Sequence, residues 1–195
     1  MRWRIAYYML CALVLAGIVH ISIILLIPTY GTQDAFAVIS RKIEPFAFNQ
    51  IPGAGKDALL SDVDPFFAYG VCRFEMDKSG LLMSGPKIDS FWSATVLDED
   101  GTVIYSLNRR TAIEGKLNLI LLDPTAILRL REVAPPEAET AIIVEADVKA
   151  GFVVLRVLMP DESWKGRAEA FLRDVSCAPY TPSASAPDDD APASG

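Results

Sequence analysis

The feature that most constrains this chain is an apolar run near its N-terminus. Residues 5–27 contain no Asp, Glu, Lys or Arg, and as a helix at ~1.5 Å per residue they would extend about 34 Å. That length is enough to cross the ~30 Å hydrocarbon core of a bilayer. The run therefore predicts one transmembrane helix, with residues 1–27 forming a cytoplasmic stub and a membrane anchor.

The charges that flank this run predict its orientation. Arg2 and Arg4 precede it, and the next basic residues along the chain are Arg41 and Lys42. Segments rich in Lys and Arg beside a membrane span stay in the cytoplasm. We therefore expect the N-terminus inside the cell and residues 28–195 on the outer side of the membrane.

A cleaved signal peptide is the alternative to an anchor. Ala35-Phe36-Ala37 has the small-x-small pattern of a cleavage site. The apolar region of a signal peptide, however, covers only ~7–15 residues. The run in this chain is longer and ends well before the Ala-x-Ala motif, so its length favours an anchor that is not cleaved.

The charge of the outer part restricts its ligands. The chain has 18 Lys and Arg and 25 Asp and Glu, so without Arg2 and Arg4 residues 28–195 carry 16 basic against 25 acidic side chains, a net charge of −9. Non-specific nucleic-acid binding needs a basic surface, so we expect no nucleic-acid partner. The sequence has no phosphate-loop or zinc-ligand spacing, and we predict no cofactor and no metal.

The position of the single histidine narrows the chemistry further. His20 lies inside the apolar run, where a neutral side chain near the helix end is the simpler interpretation and a functional intramembrane residue is the alternative. Residues 28–195 therefore have no histidine for a Ser-His-Asp triad or a histidine-ligated zinc site. We predict no catalytic residue there.

Two cysteines in the outer part suggest a disulfide. Cys72 and Cys177 would lie in an exported compartment, where disulfides form and persist. Closing a loop of this length would contribute about 4–5 kcal/mol in the chain-entropy model. Two cysteines in one chain need not meet, so the pairing is a hypothesis.

The remaining chain divides into three segments. Residues 28–61 are predicted as a juxtamembrane segment and linker, with a weak helical pattern over 33–43 that fits a helix on the membrane surface or one packed on the domain. Residues 62–179 are predicted as a β-rich outer domain. Residues 180–195, rich in Pro, Ser, Ala and Asp, are predicted as a disordered acidic tail.

Alternating apolar residues and turn clusters in the outer domain predict mostly strands. Asp98-Glu99-Asp100-Gly101 is a hairpin signal, and Asp123 and Asp161 are predicted N-caps of two helices. We therefore predict a mainly β fold, an antiparallel β-sandwich or jelly-roll-like domain with two helices near its end. The strands are predicted over 69–76, 81–84, 91–97, 102–107, 116–122, 141–148 and 152–159, and the helices over 125–133 and 162–175.

The outer domain carries a series of short motifs, at 69–76, 85–86, 91–93, 98–105 and 108–111. In this order, they resemble a bacterial family, the domain-of-unknown-function family twelve-fifty-four. The segment Leu155-Arg156-Val157-Leu158-Met159-Pro160 also looks like a strand end shared with its sister family, twelve-fourteen. The resemblance covers about 62–178 and is to short forms with a single membrane helix. It implies a bacterial envelope protein with a β-sandwich or jelly-roll-like fold, and it implies no reaction.

Arginines in apolar surroundings are the candidate ligand residues. A charge within an apolar strand must pair with an acid or reach solvent. Convergence of these arginines with Tyr69 and Trp92 would make a site for a carboxylate, a phosphate or a sugar acid. The alternative is structural ion pairing with Glu75, Glu145 or Asp147. The proposed ligand-binding set is Arg73, Trp92, Arg109, Arg110 and Arg156.

These features favour a non-catalytic module in the bacterial inner membrane, with its domain in the periplasm, that binds or positions an envelope protein or glycan. The alternative is an enzyme that acts on an envelope polymer or anionic ligand through carboxylates and an arginine-lined pocket. A cleft holding two carboxyls of shifted pKa would favour the enzyme, whereas a shallow surface with an exposed apolar patch would favour the binding module. Association through the small residues Ala12, Ala16 and Gly17 of the anchor is a third possibility.

Overall fold

A computed structural model describes residues 2–51, 64–77 and 79–182. Its helices are α1 (Arg2–Lys42), α2 (Pro124–Val133), α3 (Pro136–Glu139) and α4 (Lys165–Arg173). Its strands are β1 (Phe48–Ile51), β2 (Phe67–Glu75), β3 (Gly80–Lys87), β4 (Trp92–Asp98), β5 (Val103–Asn108), β6 (Lys116–Leu122), β7 (Ile142–Glu145), β8 (Ala150–Leu158) and β9 (Ser176–Tyr180).

The strands form two sheets. One has five strands in the order β1-β2-β8-β4-β5, and the other has four in the order β7-β6-β3-β9. Neighbouring strands are antiparallel except for β6 and β7, which are parallel. The predicted mainly β fold with two sheets is confirmed, and the parallel pair makes the second sheet mixed.

The main core lies between the two sheets. Because successive strand residues point to opposite faces, every second residue of β8 faces inward, and Val153, Leu155 and Val157 are fully buried. Leu119 and Leu121 of β6 belong to the same cluster of buried side chains. Ala168, Phe171 and Leu172 of α4 also pack in this cluster.

A disulfide joins the two sheets, as the sequence suggests. Cys72 lies on β2 of the five-stranded sheet, and Cys177 lies on β9 at the edge of the four-stranded sheet. Their Cα atoms are 6.4 Å apart, within the range that a disulfide spans.

Helix α2 covers the outer face of the four-stranded sheet. Asp123 caps it, accepting hydrogen bonds from the backbone N–H groups of Thr125 and Ala126, which satisfies donors that the first helical turn leaves free. Ile127 and Leu130 then pack in a second apolar cluster with β6. The predicted N-cap at Asp123 is confirmed.

Helix α1 joins the predicted membrane span to the β-rich domain without a break. Arg2–Ile27 is long and apolar enough to cross a membrane, and the helix continues to Lys42, about 22 Å farther at ~1.5 Å per residue. Ile39 of its last turn and Ile43, the residue after its end, are buried against the outer face of the five-stranded sheet. Of the two expectations for 33–43, packing on the domain agrees with these contacts.

The domain boundaries differ from those predicted from sequence. Residues 28–61 contain the last turns of α1 and the whole of β1, which pairs with β2, so part of the predicted linker belongs to the domain. Ser176–Tyr180 forms β9, so the domain extends one residue beyond its predicted end at 179. Most of the predicted disordered tail, from 183 onward, lies outside the described residues, as does the Gly-rich part of the linker.

Candidate functional site: the outer face of the five-stranded sheet and the adjoining cleft

Arg73 ties α1 to the sheet. Its Nη1 donates to the backbone carbonyls of Ser40 (3.3 Å) and Ile43 (3.4 Å) at the end of the helix, and its Nη2 forms an ion pair with Glu75. The last carbonyls of a helix lack partners within the helix and carry partial negative charge. Arg73 is thus occupied by the helix, so its guanidinium serves the structure and is separate from any surface site.

Trp92 is part of the core. Its side chain has no exposed surface, and its indole Nε1 donates to the backbone carbonyl of Gly115 at 3.4 Å. The expected convergence of Trp92 with the arginines therefore does not occur, since alternation along β4 turns this side chain inward. Trp92 lies in the same layer as Ala94 and Val96.

Arg109 and Arg110 lie in the exposed turn that follows β5. Two hydrogen bonds from backbone N–H groups hold the turn. The N–H of Arg109 donates to the carbonyl of Trp92 (3.2 Å), and the N–H of Arg110 donates to Oδ1 of Asn108 (2.8 Å). These bonds fix the backbone and leave both side chains at the surface, at the end of the sheet edge.

Arg156 lies on the outer face of the five-stranded sheet. Its Nε donates to Oγ of Ser93 on β4 at 2.7 Å, and its guanidinium carbon is 5.6 Å from the ring centre of Phe67 on β2. The residue is exposed. Its place between the buried Leu155 and Val157 turns Arg156 outward. Within the described ranges Arg156 forms no salt bridge, so the alternative of a buried ion pair does not apply to it.

The sheet register separates the predicted arginines into two places. Tyr69, Arg156, Ser93 and Asn108 form one row across four strands. This row sets Arg156 beside Tyr69 and two strands away from Asn108, the residue before Arg109 and Arg110. Arg73 pairs instead with Phe152. Phe152 is four residues from Arg156 along β8, about 13 Å at ~3.3 Å per residue, so Arg73 is not part of this row.

A cleft of about 740 Å³ adjoins this row. Its apolar lining, which we call the floor, includes Phe67, Tyr69, Met159 and Leu172. Its charged lining, which we call the rim, consists of four acids and one lysine. We call it the α4 cleft. Of the lining residues, only Tyr69 was predicted from sequence as part of a ligand site, because the cleft forms where separate segments meet. The lining consists of Gln50, Ile51, 64–69, Met159, Asp161, Glu162, Lys165, Glu169 and Leu172.

Two of the rim carboxylates are engaged in turns. Oδ1 of Asp161 accepts hydrogen bonds from the hydroxyl and the backbone N–H of Ser163, and these bonds hold the pKa of Asp161 below its ordinary value. Oδ1 of Asp64 accepts from the N–H of Phe66 at 2.9 Å. Asp161 is therefore ionised at neutral pH and is poorly suited to donate a proton.

Across 2–51, 64–77 and 79–182, no group of three or more His, Cys, Asp and Glu side chains has an arrangement that could hold a metal ion. The α4 cleft offers an aromatic and aliphatic floor and carboxylate acceptors at its rim. The guanidinium of Arg156 lies beside Phe67.

Comparisons with known proteins bear on the fold. No protein-family model matches the sequence, and no curated protein matches it. The solved structure of the VPA0106 protein from Vibrio parahaemolyticus is similar, with a TM-score of 0.55 and 10% identity over 78% of this chain and 36% of that one. An uncharacterized protein from Burkholderia cenocepacia aligns with a TM-score of 0.46 and 13% identity over 83% and 43%. This chain thus spans less than half of either, and the Vibrio likeness supports the fold alone.

Proposed function

We propose that this protein is a membrane-anchored module of the bacterial envelope that binds or positions an envelope component or a partner protein. The observation that carries the proposal is the junction between α1 and the sheet. The helix runs unbroken from Arg2 to Lys42, and Ile39, Ile43 and Arg73 fasten its end to the domain.

A helix fastened in this way holds the domain at a set distance and orientation. A flexible linker would let the domain sample a wide volume, which suits an enzyme that meets diffusing substrates. A continuous helix with a packed end removes that freedom. The arrangement therefore supports a task in which the location of the domain relative to the membrane matters.

Two features support a periplasmic location for the domain. Arg2 and Arg4 precede the span, and a short basic N-terminal segment favours the cytoplasmic side. The Cys72–Cys177 bridge is typical of an oxidising compartment. Together with the resemblance to family twelve-fifty-four, these features support a single-pass inner-membrane protein whose domain faces the periplasm.

The α4 cleft bears on the alternative of an enzyme acting on an envelope polymer. Such chemistry commonly uses a carboxylic acid whose pKa is raised so that it can donate a proton. The shift at Asp161 is in the opposite direction. Residues 28–195 also have no histidine, so the cleft favours binding over this kind of catalysis.

Crosslinking in native membranes tests the proposal. Tagged full-length protein would be captured alongside Ile43→Asp, which places a charge against Val71 and Phe152, and Arg41→Asp, which changes an exposed residue of the same turn. An anchor-swapped chain would identify partners held by the span alone. We expect an envelope protein or glycan to be recovered with the wild type and Arg41→Asp and strongly reduced with Ile43→Asp.

Two results would count against the proposal. One is recovery of no envelope protein or glycan above the background of an unrelated membrane protein. The other is equal recovery with Ile43→Asp, provided that the Cys72–Cys177 bridge still forms in that variant and reports a folded domain. The second result would remove the role of positioning.

A further inference from the structure

We infer that Arg156 holds the carboxylate of an acidic sugar whose ring lies on Phe67 and Tyr69 at the mouth of the α4 cleft. This inference rests on the proposed function, because it names the envelope component that the domain binds. The ligand class is a sugar with free hydroxyls and one carboxylate.

The first step is the fixed orientation of the guanidinium. Ser93 is only 5% exposed, and its Oγ accepts from Nε of Arg156 at 2.7 Å. The Phe67 ring lies within the ~6 Å that an aromatic–cation contact requires. A buried hydroxyl and an aromatic face thus hold an arginine that would otherwise sample many rotamers.

The second step is what this orientation leaves free. In the described part of the chain, Nη1 and Nη2 of Arg156 have no hydrogen-bond partner. These two nitrogens form one edge of the planar guanidinium, and such an edge binds a carboxylate through two parallel hydrogen bonds. The remaining donors of Arg156 therefore match a carboxylate in number and geometry.

The third step is the surface beside the guanidinium. Phe67 contacts Arg156 and also lines the α4 cleft. Its ring centre is 6.2 Å from that of Tyr69, which pairs across the strands with Arg156. The two ring planes are inclined at 55° to each other, so the rings give an apolar platform with two facets. Ligand sites commonly combine such an apolar surface with a few placed polar groups.

The fourth step is the charge around the platform. Residues 28–195 carry a net charge of −9, and Glu162 and Glu169 lie on the rim of the cleft. Carboxylates accept hydrogen bonds from hydroxyls but repel another anion. A neutral polyol would offer Arg156 no charged partner, and a ligand with several negative charges would be repelled by the rim. A ligand with one carboxylate and several hydroxyls fits both the guanidinium of Arg156 and the carboxylates of the rim.

Nuclear magnetic resonance of the full-length protein in micelles tests the assignment. Arginine labelled with nitrogen-15 would report the Nε–Hε signal of Arg156 during titration with glucuronic acid, with glucose and with inorganic phosphate, all at constant ionic strength. We expect glucuronate to shift the Arg156 signal and glucose to leave it in place. Arg156→Gln should weaken glucuronate binding about tenfold or more.

Arg167→Gln is the matched control. Arg167 is also exposed and lies over an aromatic ring, with its guanidinium carbon 4.4 Å from the ring centre of Trp164, but it is on α4 and lacks a counterpart of Ser93 in the described residues. Equal weakening by Arg167→Gln would overturn the assignment, since the effect would then be one of general charge. So would a shift produced by phosphate and not by glucuronate, or no shift at all.

Failure of this inference differs from failure of the proposed function. If capture in native membranes still depends on Ile43 while glucuronate leaves Arg156 unchanged, the positioned binding module stands and the acidic-sugar ligand falls. If glucuronate binds at Arg156 while capture recovers nothing, the ligand site stands and the positioning role falls.

Discussion

Removing the Cys72–Cys177 bridge should cost this domain much of its stability. The two cysteines are 105 residues apart in sequence, and the chain-entropy model gives about 4.8 kcal/mol for a loop of that length at 25 °C. Replacing both by alanine also removes the sulfur of Cys72 from a fully buried position, at a further cost of about 1 kcal/mol. Domains are commonly stable by ~5–15 kcal/mol, so the double variant should be near its unfolding threshold.

Urea unfolding of the full-length protein in micelles would measure this loss. Trp92 has no exposed surface, so its fluorescence should change when the core opens. Cys11→Ala is the control, because Cys11 lies in the span and outside the domain, and it should leave the transition unchanged. Adding a thiol reductant to the wild type should reproduce most of the loss. A decrease below ~2 kcal/mol in the double variant would refute the argument that the bridge acts by closing a long loop.

Two further predictions concern stability. Gly151→Ala should destabilise the fold by several kcal/mol, because a Cβ there would lie 2.2 Å from the backbone oxygen of Leu97. In Gly166→Ala the added Cβ meets no atom within 4 Å, so this variant should stabilise α4 by up to about 1 kcal/mol. Equal melting temperatures for the two variants would contradict the packing at Gly151. Asp123→Ala should cost about 1 kcal/mol at neutral pH. The Thr125 hydroxyl and the Ala126 and Thr125 N–H groups lower the pKa of Asp123, so its contribution is present above the ordinary carboxyl pKa and lost as pH falls through the lowered one. The free energies of unfolding of the wild type and Asp123→Ala should therefore converge as the pH falls through the acidic range. A difference between them that persists at the lowest pH would exclude a charged cap.

Strands with a strong local pattern were predictable from sequence. The residues of β6 match the predicted segment in full. The hairpin between β4 and β5 forms where Asp98 begins its turn, with Oδ1 of Asp98 accepting from the N–H groups of Asp100 and Thr102 and Gly101 at φ 77°. Apolar alternation and turn chemistry act over a few residues, so one sequence contains enough information to locate these elements.

Elements that depend on distant partners were not predictable in the same way. Strand β9 contains Pro179, which argues against a strand in the interior of a sheet, and it is tolerated because β9 lies at a sheet edge. Strand β1 has only four residues, two of them the polar Asn49 and Gln50, and is held by pairing with β2. Local sequence patterns do not contain the information about these partners.

The candidate site shows the same limit. The set of arginines was predictable from sequence, but their separation depends on the sheet register, which places Arg73 opposite Phe152 and Arg156 opposite Tyr69. Arg73 then meets the last carbonyls of α1, and Arg156 is exposed. The α4 cleft was missed for a related reason. Phe67, Met159 and Leu172 come from three separate segments, and only the folded register brings them together.

The proposed function requires that a packed, continuous helix hold the domain in a fixed relation to the membrane. Measuring the distance between two spin labels in lipid nanodiscs tests this requirement most directly. The labels would be placed at Leu25, which is 70% exposed on the span, and at Ser106 on β5, in a Cys11→Ala background. A fixed junction predicts one narrow distance distribution that broadens in Ile43→Asp. A broad distribution in the unmodified helix, like that of a flexible linker, would contradict it.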